Sequence, residues 1–246
     1  MVLRKNILIT GASSGLGEGM ARQFAARGRN LALCARRTDR LDELKAAYPG
    51  ITVVTRPLDV NDHDRVFTVF EEFRGELGSL DRVIVNAGLG KGQPVGKGRF
   101  DANRQTLETN FVAAAAQIEA AVGIFREQRE GHLAVVSSFS AIRGLPRNLT
   151  AYAASKAGIS AFVAGTRVEL RRTDISVTEI RPGYIASEMS ARSGSTPLLT
   201  GAEAGARAMA KAIEAEPKMA YVPSWPWVPL SAVMRVLPAG LLAKFS

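Results

Sequence analysis

Residues 6–17 read Asn-Ile-Leu-Ile-Thr-Gly-Ala-Ser-Ser-Gly-Leu-Gly. A short apolar run of strand length, 6–10, leads directly into glycines at 11, 15 and 17. Apolar Leu16, Met20 and Phe24 then recur at helical spacing until Gly28 stops the pattern. The stretch predicts a buried strand, a tight turn and a helix N-terminus. Glycines in such a turn let the backbone approach a pyrophosphate, and the helix start offers unpaired N–H groups at the positive end of a dipole. A Gly-rich turn is also an ordinary cap or packing device. Its place after the first strand is what points to a dinucleotide held by Gly11, Ser13, Ser14, Gly15, Leu16 and Gly17. The spacing is Gly-x-x-x-Gly-x-Gly rather than G-x-G-x-x-G, and Thr10 precedes it.

The same rhythm continues along the chain. Strands are predicted at 30–35, 51–54, 82–86, 131–137 and 175–180. Helices are predicted at 41–48, 62–77, 103–129 and 152–173. Strands apolar throughout are buried on both faces, and their alternation with helices implies parallel βαβ units. The expectation is an α/β fold: a single doubly wound Rossmann-type domain over 1–246, its central parallel sheet carrying helices on both faces. The last third differs. Residues 188–216 read as a flap followed by a helix opened by a capping box, Thr200-x-x-Glu203. A last strand at 219–222 precedes an apolar tail, 224–246, with Trp225, Trp227 and the segment 230–245. The tail is interrupted by Arg235 and Pro238 and is too short to span a bilayer. It is expected to be a lid, a subunit contact or a peripheral membrane contact.

Composition limits the alternatives. The chain has 246 residues, 46% hydrophobic and 22% charged, which excludes a disordered polymer. Cys34 is the single cysteine, so no disulfide scaffold is possible; a reducing, cytoplasmic setting is expected. Two histidines and one cysteine give no metal centre. The net charge of +9 carries no run of five like charges and no nucleic-acid motif, so no nucleic-acid partner is expected.

The end of the second predicted strand selects the nucleotide. An NAD site usually places an acid there for the ribose 2′-hydroxyl. Here the order is Cys34-Ala35-Arg36-Arg37. Two guanidiniums suit a 2′-phosphate and favour NADP(H). Asp59 and Val60, after the third strand, are candidates for the adenine edge, with Asp59 equally suited to a cap.

Tyr152-Ala-Ala-Ser-Lys156 carries the chemistry. Residues i and i+4 share a helix face. An ammonium about 4 Å from a phenol would lower the phenol pKa by up to about three pH units. Ser137-Ser138, Asn86-Ala87-Gly88 and Pro182-Gly183 end other strands, where an open α/β sheet holds its ligands.

Together these motifs resemble the short-chain dehydrogenase/reductase family over nearly the whole chain. The resemblance implies that Tyr152 is the general acid and Ser138 binds the substrate oxygen. Lys156 tunes Tyr152 and holds the nicotinamide ribose, and Asn110 positions a water linking Lys156 to solvent. Pro182, Gly183, Ile185 and Ser187 would complete the cofactor site, and Arg36 falls where NADP-preferring members carry a basic residue. Ser138 precedes Tyr152 by one residue more than is usual, which leaves Ser140 as a second candidate. The implied function is NADPH-dependent reduction of a ketone or aldehyde, with a bulky apolar or 3-oxoacyl substrate. The alternative is a non-catalytic nucleotide-binding module. The resemblance also implies a homodimer or homotetramer paired through 103–130 and 152–173. Lys91, Lys97 and Arg99 would meet an anionic head group or form a solvated loop.

Overall fold

The computed structural model describes residues 3–188 and 198–242. Alternate residues of each strand serve opposite faces. In β1 (Asn6–Thr10), Ile7 and Ile9 enter one apolar cluster and Leu8 the other, and all three are fully buried. Val83 and Val85 of β4 (Arg82–Val85) oppose Ile84 in the same way. A sheet buried like this needs a helical layer on each side. On one side lie α1 (Gly15–Ala25), α2 (Thr38–Ala47) and α7 (Ala202–Glu214), which contribute Met20, Phe24, Leu41, Met209 and Ile213. On the other lie α3 (His63–Leu77), α5 (Ala113–Gln128) and α6 (Thr150–Glu169), with Phe70, Phe73, Phe125, Ile159 and Val163.

With β2 (Asn30–Ala35), β3 (Val53–Pro57), β5 (Glu130–Val136), β6 (Asp174–Pro182) and β7 (Met219–Val222), the strands form one seven-stranded sheet. Its order is β3-β2-β1-β4-β5-β6-β7, and every pairing is parallel. The doubly wound architecture expected from the sequence is therefore present. The chain leaves β1 in one direction for β2 and β3, and returns to pair β4 on β1's other side. That reversal opens a crevice at the C-terminal ends of β1 and β4.

Three local expectations need correction. The long helix expected at 103–129 is two α-helices, α4 (Phe100–Leu107) and α5, joined through a π-turn at Glu108–Val112. The capping box does not form: α7 is N-capped by Gly201 without a side-chain bond. Thr200 is drawn instead into a parallel bridge with Ile185, its N–H donating to the Tyr184 carbonyl and its own carbonyl accepting from Ala186 N, both at 2.9 Å. The tail forms α8 (Ser224–Val236) and a short α9 (Ala239–Leu242). Trp227 is 2% exposed, with its ring 4.7 Å from Phe139 and 5.3 Å from Tyr184, edge to face. A Cβ on Gly183 would stand 2.0 Å from the Trp227 ring, so the tail is seated on the end of β6. Residues 189–197 of the expected flap, and Lys244 and Phe245 of the tail, lie outside the described residues. Among the described residues no helix is long and apolar enough to cross a membrane.

At the opposite, N-terminal edge of the sheet a polar cluster ties Arg4, before β1, to Glu216, before β7. Arg82 donates to His132 Nδ1 at 2.7 Å and to Glu216 at 3.0 Å, and Arg4 donates to Glu216 at 3.1 Å. Because Nδ1 accepts, His132 carries its proton on Nε2, which meets Thr178 Oγ1 at 2.9 Å. Burial, with the neighbouring Arg82, pushes the His132 pKa down to about 3. Burial opposes ionisation of Glu216, but Arg4, His132 and the Ser176 hydroxyl hold its pKa down to about 2.

Candidate active site

The crevice floor is built by Thr10. Fully buried, its hydroxyl accepts from Asn86 N at 3.0 Å and Ala87 N at 3.1 Å, locking the end of β4 to the end of β1. Asn86 Nδ2 returns a bond to the Thr10 carbonyl at 2.9 Å. The glycine turn lies against this clamp. A Cβ on Gly17 would stand 2.2 Å from the Gly11 carbonyl oxygen and 2.7 Å from Asn86 Nδ2. Gly11 itself has φ +65°, a left-handed conformation that glycine adopts without cost. These positions need glycine because backbone meets backbone, leaving the first N–H groups of α1 at the crevice floor. Thr10 was visible in the sequence only as the residue before the glycines; its clamp role is a tertiary contact between distant segments.

At the end of β2, Arg36 and Arg37 are both exposed. Arg37 Nε reaches Ser13 Oγ at 3.4 Å, and its other nitrogens pair with Glu188 at 3.4 Å. Arg37 therefore joins the glycine turn to the segment after β6, and Glu188 is a neighbour the sequence did not suggest. Among the described residues Arg36 makes no hydrogen bond or ion pair. Asp59 accepts from Asn61 N at 3.0 Å and closes a local turn, whereas the N-cap of α3 is Asp62. Val60 is buried. At the end of β6, buried Pro182 and then half-buried Gly183 lead to buried Ile185, and Ser187 lies opposite Gly15 at 3.3 Å from its ideal Cβ.

The π-turn carries Asn110, 1% exposed, into the crevice wall. Its Oδ1 accepts from Leu89 N and its Nδ2 donates to Leu89 O, both at 2.8 Å. Nδ2 also lies 3.4 Å from Ser155 Oγ. Asn110 thereby clips the loop after Asn86-Ala87-Gly88 to α6. Gly88 lies between the partners: its ideal Cβ is 3.0 Å from Asn110 Oδ1 and 3.7 Å from Lys156 Nζ.

Ser138 follows β5, and its Oγ accepts from Ser140 N at 3.0 Å as it caps the turn at Phe139–Ile142. Tyr152 and Lys156 lie one turn apart on α6, with the ammonium 5.9 Å from the phenol ring centroid. The half-buried phenol sits beside the Ser138 hydroxyl. Burial raises the Tyr152 pKa, Ser138 pulls it down, and Tyr184 adds to the rise. The lysine-driven lowering expected from the i, i+4 spacing is absent here. Lys156, 6% exposed, instead donates to the Val136 carbonyl at 2.9 Å, and burial lowers its own pKa to about 8. Behind it, Ser137 donates to the Lys156 carbonyl at 3.1 Å, and Ser160 donates to Glu179 Oε1 at 2.5 Å.

The arrangement can take a planar polar group between Ser138 and Tyr152, with a buried ammonium alongside and a glycine-lined groove leading away. Comparison with known proteins agrees. Residues 5–197 match the short chain dehydrogenase family. An uncharacterized oxidoreductase of Mycobacterium tuberculosis is 53% identical, covering 100% of this chain and 98% of its own. Levodione reductase superposes with a TM-score of 0.83 at 24% identity, over 93% of this chain and 99% of its own. An alcohol dehydrogenase from Thermococcus sibiricus, complexed with 5-hydroxy-NADP, gives a TM-score of 0.80 at 25% identity, over 90% and 97%. The chain belongs to the short-chain dehydrogenase/reductase family and is an oxidoreductase.

Proposed function

We propose that this short-chain dehydrogenase/reductase is an NADPH-dependent reductase of a ketone or aldehyde. The observation that carries the reading is the convergence of Ser138, Tyr152, Lys156 and Asn110 beside the glycine-lined crevice. The cradle suits a dinucleotide: Gly11 and Gly17 let the turn fold tightly on itself and on Ala87, with the N-terminus of α1 at the crevice. Arg36 and Arg37 stand at the end of β2 without a nearby acid on that strand, which suits a 2′-phosphate. The Thermococcus enzyme with its NADP-type ligand supports the same cofactor class. When bound, NADPH supplies the hydride.

The chain's own residues do the rest. Ser138 donates to the carbonyl oxygen of the substrate and orients it. Tyr152 gives that oxygen its phenolic proton. Lys156, protonated near neutral pH, offers positive charge to the phenolate left behind and a donor for the ribose hydroxyls. Asn110, by clipping Leu89, fixes the crevice wall beside Lys156 and would so keep the pocket for the cofactor open. Exposed Tyr184, Leu198 and Leu199 near the end of β6 support a bulky apolar carbonyl substrate. Pairing of two copies through α5 and α6, where Val112 at the head of α5 and Val168 on α6 are exposed, would give a homo-oligomer. The single, buried Cys34 is in keeping with a reducing, cytoplasmic setting.

The test is depletion of NADPH fluorescence with a panel of aliphatic and cyclic ketones. Tyr152→Phe should abolish turnover while leaving NADPH affinity within about twofold, since one hydroxyl is removed from a group whose role is proton transfer. NADPH binding without turnover of any carbonyl would favour a non-catalytic module instead. Residual Tyr152→Phe activity within about tenfold of the parent would remove Tyr152 as the acid.

A further inference from the structure

Helix α8 is apolar on both faces, and only one is covered. Trp227, Ser231 and Met234 turn inward, with Trp227 on Gly183 and Phe139. On the opposite face stand Trp225, Val228, Ala232, Val233 and Val236, all exposed. At about 100° per residue, Val228, Ala232 and Val236 form one row with Val233 at its side, and Trp225 stands at the non-helical head of the element. Trp225, at the kinked head of the helix, is 75% exposed and Val236, near its end, 80%. Leu241 continues the row beyond Pro238. A helix apolar all round is ordinarily enclosed.

The charges around this face have one sign. Neither 131–168 nor 217–246 contains an aspartate or glutamate. Exposed Arg235 flanks the apolar row. Arg143 donates to the Met234 carbonyl at 3.1 Å and the Leu237 carbonyl at 2.5 Å, placing a second guanidinium at the C-terminal end of α8. An apolar row headed by a tryptophan and rimmed by arginine matches the boundary of an anionic bilayer, where acyl chains meet phosphate. A second copy is a poorer occupant, because two such faces would oppose guanidiniums with no carboxylate between them.

We propose that the outer face of α8 docks this protein on an anionic lipid surface. The helix lies along the headgroup boundary, with Trp225, Val228 and Val236 dipping towards the acyl chains and Arg235 and Arg143 at the phosphates. Trp227, on the inner side of the same helix, stacks on Tyr184 beside the Pro182-Gly183 wall of the crevice. Docking therefore turns the crevice mouth towards the bilayer. Delivery of a lipid-soluble carbonyl by that route rests on the proposed reductase activity; the docking itself does not.

The experiment is co-sedimentation of the full chain with vesicles of phosphatidylglycerol and phosphatidylcholine in equal parts, against pure phosphatidylcholine, with tryptophan emission recorded. Binding to the anionic vesicles, a blue shift of emission and release on raising the salt are expected. The double substitution Val228→Glu and Val236→Glu should lower vesicle affinity roughly tenfold or more, leaving NADPH binding and turnover of a water-soluble ketone unchanged. Should that variant fold poorly by circular dichroism, Trp225→Ser gives the same comparison with one exposed side chain. Wild-type protein that ignores anionic vesicles overturns the proposal. So does unchanged binding by the folded variants. A wild-type dimer in light scattering that the substitutions dissociate, without vesicle binding, assigns the face to a second copy; capture by an acidic protein alone assigns it to a protein partner. Vesicle binding with no ketone turnover would leave docking intact and remove only the reductase reading.

Discussion

Replacing Lys156 by methionine should make the cofactor-free protein more stable while removing its activity. The ammonium is 6% exposed, and burial brings its pKa from 10.5 to about 8. At about 1.36 kcal/mol per pH unit, keeping it charged in the folded state costs roughly 3 kcal/mol. Below pH 8 both folded and unfolded chains hold the proton, so the whole penalty is present. Between pH 8 and 10.5 the folded chain releases its proton first, unfolding takes one up, and stability rises with pH until the penalty is gone. Methionine matches the length without the charge but leaves the Val136 carbonyl without its donor, a loss of about 1 kcal/mol. The net gain for Lys156→Met is about 2 kcal/mol at pH 7, or roughly 4–8 °C in Tm for a chain of this size. It should reach zero near pH 10 and reverse above it towards a loss of about 1 kcal/mol, the hydrogen bond to Val136 alone. Urea denaturation of cofactor-free parent and variant at pH 7, 9 and 10.5 measures it. A variant less stable at pH 7, or a gap that does not shrink with pH, would refute the reasoning.

Gly17→Ala should abolish NADPH binding, because its Cβ would stand 2.2 Å from the Gly11 carbonyl and neither backbone can yield; fluorescence titration reads it, and an unchanged Kd would contradict the cradle. Acid should destabilise the fold through His132, whose folded pKa of about 3 lies below its usual 6.5. Unfolding then takes up a proton between those values, so stability falls as pH drops from 6.5 towards 3. In His132→Asn that slope should flatten, while the loss due to Glu216, folded pKa about 2, persists below pH 4.5. Trp227→Ala should cost about 3–5 kcal/mol in chemical denaturation, as for other large core side chains; a loss under about 1 kcal/mol would mean that α8 is not part of the packed structure.

The parallel sheet was legible because strands buried on both faces read as unbroken apolar runs and the turns between them hold glycine and proline. The candidate catalytic residues stood out for a different reason: their types and spacing on α6 coincide with the strand-end motifs. What escaped was tertiary. Nothing at Thr10 announces that it will clamp Asn86 and Ala87, and nothing at Glu188 announces Arg37. The i, i+4 rule placed Tyr152 and Lys156 together, but burial and the Val136 carbonyl decided their electrostatics. Thr200 and Glu203 have the spacing of a capping box, yet the backbone of Tyr184 and Ala186 outcompetes the cap by pairing with Thr200 first.

The π-turn at Glu108–Val112 has a genetic consequence. A wide turn of this kind is a regular helix with one residue too many. Removing a single codon, such as that of exposed Glu108, would let α4 and α5 run on as uninterrupted α-helix. That deletion mends the helical ladder while turning α4 by about 100° relative to α5. Asn110 stays with α5, whereas Ala102 and Thr106, the buried residues of α4, would turn out of the places they now hold. The additional residue therefore forgoes regular helical hydrogen bonding at one turn and sets the azimuth at which α4 meets the rest of the fold.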